Sequence, residues 1–127
     1  MLKLAICGSR EISLSPSQLD ALIYTFFTPD PSTFDAEIVS GGAKGMDVSA
    51  KEYADTFRFS YREFKPEYDK YPPKLAPLKR NTQIAEYSDK LLVIRYNDSN
   101  GSIHVASEFK RLKKSVYEII LPKVTND

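Results

Sequence analysis

A chain of 127 residues that is 42% hydrophobic and 28% charged has room for one hydrophobic core rather than two, and its composition is that of a folded protein rather than a disordered one. Eighteen basic residues against seventeen acidic ones leave a net charge of +1, so whole-molecule steering toward nucleic acid or an anionic membrane is not indicated and any anion site must be local. Cys7, the only cysteine, excludes an intrachain disulfide, and with a single histidine no cluster of zinc-ligand spacing can be written, which argues against a structural metal.

The run Met1 to Ile6 is too short in apolar length for a signal peptide, and the longest aliphatic run, Leu91 to Ile94, is far below a membrane span. The expected location is the cytoplasm, with no membrane partner.

In chain order, Leu2, Leu4, Ala5 and Ile6 predict a short buried strand ended by Gly8. Ser15-Pro16 is a helix-start signal, and Leu19, Leu22, Ile23, Phe26 and Phe27 carry a first helix to about Thr28. A polar Pro29-Asp30-Pro31-Ser32 connection leads to a second strand, Ala36 to Ser40, stopped by Gly41-Gly42. Met46, Ala50, Tyr53, Ala54 and Phe57 trace one face of a second helix.

Phe59 to Phe64 alternates aromatic and polar residues, which predicts a third strand at the sheet edge. The stretch from Lys65 to Leu75 follows no period, and a loop of that length in a small domain is usually functional or mobile. Pro77 opens a third helix with Leu78, Ile84, Ala85 and Tyr87, and Lys90 to Arg95 is a central buried strand. The turn-forming run Asn97 to Gly101 precedes a fourth helix with Ile103, Ala106, Phe109 and Leu112, and Val116 to Ile120 forms a fifth strand.

Alternating strands and helices predict a Rossmann-like α/β fold, a doubly wound five-stranded parallel sheet in order 3-2-1-4-5 with helices on both faces, as one domain over residues 1–127. The order reverses between strands one and four, so a ligand crevice is expected over their carboxyl ends.

Three junctions converge there: Gly8-Ser9-Arg10, Ser40-Gly41-Gly42-Ala43-Lys44-Gly45-Met46-Asp47, and Asn97 to Ser102. Glycines admit backbone N–H groups to a phosphate, and a helix N-terminus adds free donors and the positive end of its dipole. The competing reading is that the glycines only make tight turns and close packing. Lys44 would add a charge. No Walker loop and no full dinucleotide fingerprint can be written on the second junction.

Asp47 suits either capping of helix two or contact with a ligand ribose. Arg10 is either a phosphate fork or a solvated surface group. In the pair Arg80-Asn81, the asparagine either braces a loop or reads a base or ribose edge. Gly101 and Ser102 offer a second anion site or ordinary N-capping. His104, with no nucleophile beside it, reads as a polar helix residue, and Cys7 as a small core residue. The lysines and tyrosines between Lys65 and Lys79 suit base stacking on a single strand, or a lid or subunit contact.

Together these residues, with Ser88-Asp89-Lys90-Leu91-Leu92 and Ser99-Asn100-Gly101-Ser102, resemble the SLOG superfamily, which unites the DNA-processing protein DprA with the LOG hydrolases, and most closely its small YspA-like branch. The resemblance implies a nucleotide-binding Rossmann-like domain, a homodimer or higher homo-oligomer, and a role in sensing, storing or sequestering a phosphorylated nucleotide-derived molecule. ADP-ribose, an NAD-related molecule and a cyclic nucleotide are the ligand types it brings forward.

The hydrolases of the superfamily carry a glutamate that assists glycosidic cleavage, and the aligned position here is Val105. The expectation therefore leans to a binding protein. The alternatives are a nucleotide hydrolase in which Asp47 or Glu108 activates water, and a DprA-like binder of single-stranded DNA, which the near-neutral charge disfavours.

Overall fold

The computed structural model describes residues 1–27 and 34–123. Nine elements follow in order: β1 (Leu2–Gly8), α1 (Pro16–Phe27), β2 (Ala36–Ser40), α2 (Met46–Phe57), β3 (Ser60–Glu63), α3 (Ala76–Tyr87), β4 (Lys90–Tyr96), α4 (Asn100–Arg111) and β5 (Ser115–Leu121). The strands form one sheet in the order β3-β2-β1-β4-β5, with every pairing parallel. The fold is the expected Rossmann-like one.

Successive side chains of a strand point to opposite faces, and the central strands use both. Leu4, Ile6, Ile38, Leu92 and Ile94 face a cluster containing Leu19 and Ile23 of α1 and Met46, Ala50 and Tyr53 of α2. Ala5, Cys7, Val39, Leu91 and Val93 face the other way, onto Ile84 and Ala85 of α3 and Val105, Ala106 and Phe109 of α4. Burial on both faces is why these strands read as continuous apolar runs rather than alternating ones.

Local chemistry sets the helix starts. Ser15 and Gln18 form a reciprocal capping box, the Gln18 N–H donating to Ser15 Oγ at 3.2 Å and the Ser15 N–H to Gln18 Oε1 at 2.9 Å. The expected end of α1 at Thr28 and the Pro29-to-Ser32 connection lie outside the described residues. β3 is a residue shorter at each end than the alternation suggested, and it is an edge strand as expected.

The aperiodic stretch after β3 is folded onto itself. The Glu67 carbonyl accepts the N–H groups of Lys70 and Tyr71, and the Glu67 carboxylate accepts Gln83 Nε2 of α3 at 2.9 Å.

The fourth helix begins earlier than the turn-forming run suggested. Asn100 and Gly101 lie in its first turn because Ser99 takes the N-cap position, and the Ile103 N–H closes the first helical bond onto Ser99 O at 3.0 Å. That shift moves Asn100 and Gly101 from the turn into the first turn of the helix that carries Ser102, at the point where the strand order reverses.

Candidate ligand cleft at the strand ends

Ser9 is the junction of four elements. Its N–H donates to Ile94 O at 3.1 Å, its carbonyl accepts the Met46 N–H at 3.3 Å, and its Oγ accepts the Tyr96 N–H at 2.9 Å while sharing a hydrogen bond with Ser99 Oγ. Gly8 permits this convergence, since a Cβ there would strike the Ile94 carbonyl and the Met46 side chain. The hydroxyl of Ser9 therefore fastens β1 to β4 and to the entrance of α4.

The glycine loop between β2 and α2 is closed from within. Gly42 and Gly45 both have positive φ, 72° and 73°, and the ψ of −122° at Gly45 is open only to a residue without Cβ. The loop folds around Asp47, whose Oδ2 accepts the Ala43 N–H at 3.0 Å. Burial pushes the Asp47 carboxyl up from its ordinary value, and the Ala43 N–H, the Arg80 guanidinium and the Gly41 N–H pull it partly back. An internal carboxylate thus takes two of the amide donors, those of Ala43 and Gly41, that the sequence offered to a phosphate.

Arg80 and Asn81 are the brace between α3 and the two loops. Arg80 Nη1 donates to Gly41 O at 2.7 Å and Nε to Asn81 Oδ1 at 3.0 Å. With its oxygen so engaged, Asn81 turns Nδ2 toward Gly101 O at 3.3 Å and His104 Nδ1 at 3.2 Å. Of the two roles foreseen for Asn81, bracing is the one its contacts show.

The first turn of α4 is open. Its initial N–H groups have no carbonyl a turn back, and Ser99, engaged with Ser9, makes no side-chain cap. Ser102 is 7% exposed, and its hydroxyl has no hydrogen-bond partner among the described residues. A Cβ on Gly101 would meet nothing within 4 Å.

These groups line a cleft of ≈ 350 Å³. Of the residues expected at the site, Gly8, Ser9, Arg10, Gly41, Asp47, Arg80, Asn81, Gly101 and Ser102 lie on its wall. Ser40, Gly42, Lys44 and Gly45 do not. Ser40 is buried, sharing a hydrogen bond with Tyr61 OH at 2.5 Å, the Glu63 carboxylate packs where a Gly42 Cβ would be, and Lys44 points to solvent.

Glu108 is also away from the cleft lining. Its Oε1 accepts the Thr82 hydroxyl at 2.5 Å and its Oε2 Arg111 Nε at 2.7 Å, contacts that hold its carboxyl below the usual carboxylate range. Val105, at the position where the resembling hydrolases carry glutamate, is buried on the cleft wall. Cys7 forms part of the floor, and burial, reinforced by Asp47, pushes its thiol well up, so it is a neutral group there.

Sequence patterns missed part of the wall. Pro77, Leu78 and Ile84 supply an apolar side, and Glu11, Tyr96 and Lys123 form the rim. Lys123 Nζ lies 3.4 Å from Asp98 Oδ2 and 3.7 Å from Glu11 Oε2. No local pattern announces this contact, which depends on β5 lying parallel beside β4. The cleft so built offers hydrogen-bond donors at one end and an apolar surface at the other, the usual division of a small-ligand site.

No protein-family model and no curated protein matches the chain. Solved structures do. A crystal structure of DNA processing protein A (DprA) from Streptococcus pneumoniae is similar over 100% of this chain and 52% of its own, with a TM-score of 0.71 at 20% identity. DNA processing protein A from Helicobacter pylori, described for its single-stranded DNA binding mode, is similar over 99% of this chain and 67% of its own, with a TM-score of 0.67 at 22% identity. The chain therefore spans about half the length of the first of these proteins and shares with both the Rossmann-like fold.

Proposed function

We propose that the cleft binds a phosphorylated nucleotide unit, its phosphate on the first turn of α4 and its base or ribose against Leu78, Ile84 and Val105. The observation that carries this reading is Ser102, a residue 7% exposed whose hydroxyl has no partner among the described residues, on a cleft wall that also presents unbonded helix N–H groups. A hydroxyl left free at the cleft wall can donate to a phosphate oxygen that the helix N–H groups also hold. Arg10, exposed beside the cleft, supplies a charge-assisted fork.

The reading is one of binding rather than turnover, because Val105 cannot act as an acid or base and Glu108 is committed to Thr82 and Arg111. Among the resemblances, the shared fold with DprA supports the SLOG superfamily, and the motifs already quoted support its YspA-like branch.

A second reading is that the unit belongs to a single strand of DNA, held by the cleft one nucleotide at a time. The similarity to two DNA processing proteins favours the strand over a free nucleotide. Near-neutral overall charge limits the length of strand engaged, since affinity for nucleic acid follows the number of phosphates neutralised.

The test is thermal unfolding in the presence of nucleoside 5′-monophosphates, NAD, ADP-ribose, cyclic nucleotides and a short oligodeoxynucleotide. A ligand bound only by the native state, present at a hundred times its Kd, adds about 2.7 kcal/mol of stability. Stabilisation that is clearly reduced in Ser102→Ala and Arg10→Ala supports the reading. An oligonucleotide that stabilises where free nucleotides do not selects the strand. No stabilisation by any of them overturns both readings.

A further inference from the structure

We infer that the cleft is matched to a ligand bearing a single phosphate, as a monophosphate ester or one phosphodiester link, and discriminates against di- and triphosphates. This rests on the proposed function and deepens it. The charged side chains on the wall are the cations Arg10, Arg80 and Lys123 and the carboxylates Glu11, Asp47 and Asp98, so the cleft carries no formal surplus of positive charge.

Nor are the cations equally available. Arg80 is fastened to Gly41 O and Asn81 Oδ1 with the buried Asp47 carboxyl facing its field. Lys123 is held between Asp98 and Glu11 at 3.4 and 3.7 Å. Arg10 alone among the three makes neither an ion pair nor a side-chain hydrogen bond among the described residues.

One free guanidinium, the dipole end of one helix and the Ser102 hydroxyl meet the charge of one phosphate. Each further phosphate adds at least one negative charge, and at the rim it would approach Glu11 and Asp98, with only Lys123 between them. Like charges at such separations repel strongly where solvent is partly excluded. The volume agrees, since ≈ 350 Å³ is near the lower end of the roughly 300–1,000 Å³ found for small-molecule sites.

The experiment is calorimetric titration with the mono-, di- and triphosphates of each of the four deoxynucleosides, and with a dinucleotide containing one phosphodiester. It is run at low ionic strength with a chelator, so that no divalent ion masks the charge. Wild type is compared with the double variant Glu11→Gln/Asp98→Asn, whose exposed changes leave the core untouched.

For the base that binds, the expected result is a monophosphate at least about tenfold tighter than the triphosphate, and a gap that narrows about tenfold in the double variant, mainly through a gain for the triphosphate. A triphosphate that binds as tightly as the monophosphate, or a gap unchanged by the double variant, overturns the inference and leaves the proposed function standing. Absence of binding by every nucleotide and by the dinucleotide overturns the proposed function with it.

Discussion

The Asp47 carboxylate accepts the Ala43 N–H at 3.0 Å, so the protein fills its own glycine loop with a negative charge. The loop resembles a phosphate cradle in sequence and is a closed structural turn in space. The free N–H groups at the start of α4 are donors left for an outside anion.

The first expectation concerns Asp47 and pH. Its folded-state pKa is raised above the ordinary value of 3.8, so the native state holds its proton to higher pH than the unfolded chain does. The stability linked to this group is therefore fully present below the ordinary value and is lost as pH rises through the raised folded-state value. Measured as urea-unfolding free energy relative to Asp47→Asn, wild type should lose stability over that window, and a gain over the same window would contradict the assignment. Asp47→Ala, which leaves the loop amides without an acceptor, should lose about 1–3 kcal/mol at neutral pH.

Two glycines give opposite outcomes to the same change. Gly8→Ala forces a Cβ into the Ile94 carbonyl and Met46 and should lower stability by about 1–3 kcal/mol or more. Gly101→Ala enters open space in the first turn of α4 and should stay within about 0.5 kcal/mol of wild type. Denaturant midpoints for the two variants decide this, and equal losses would show the α4 start to be packed rather than open.

Lys114 closes the end of α3. Its Nζ donates to the carbonyls of Ala85 at 2.7 Å, Glu86 at 3.0 Å and Ser88 at 2.7 Å, groups that a helix leaves without partners at its C-terminus. Lys114→Met keeps the stem and removes the donors, and should cost about 1–3 kcal/mol in chemical denaturation. A neutral result would mean that water serves these carbonyls equally well.

Arg80→Lys replaces a planar fork by a point charge. It breaks the paired bonds to Gly41 O and Asn81 Oδ1 and should lower stability by about 1–3 kcal/mol while also loosening α4. Hydrogen exchange reads the second effect, as faster exchange at the first amides of α4 than at those of α1. Uniform protection would separate Arg80 from the positioning of α4.

The fold was legible because its determinants are local and periodic. Leu4, Ile6, Leu92 and Ile94 pack on one sheet face while Ala5, Cys7, Leu91 and Val93 pack on the other, which is what an unbroken apolar run encodes. The alternation of elements then left few topologies. Helix starts were less legible. Asn100 and Gly101 look like turn residues, yet they sit in the first turn of a helix whose N-cap position is Ser99, and turn chemistry and first-turn chemistry favour the same residue types.

The site was legible as a place and only partly as a set of residues. Glycine and serine at strand ends marked the cleft through Gly8, Ser9 and Ser102. Nothing in the order of residues tells whether Lys44 faces a ligand or solvent, or that Asp47 turns back onto Ala43 rather than outward. Lys123 was invisible because its partners, Glu11 and Asp98, are distant in the chain and are joined only by strand order.

The most direct measurement is the affinity for a nucleoside 5′-monophosphate, by calorimetry, in wild type, Ser102→Ala and Lys44→Ala. With the phosphate on the first turn of α4, loss of the Ser102 hydroxyl weakens binding about tenfold, one charge-assisted hydrogen bond, and Lys44→Ala stays near wild type. Loss of binding in Lys44→Ala with none in Ser102→Ala would place the anion at the glycine loop before α2 and contradict the account.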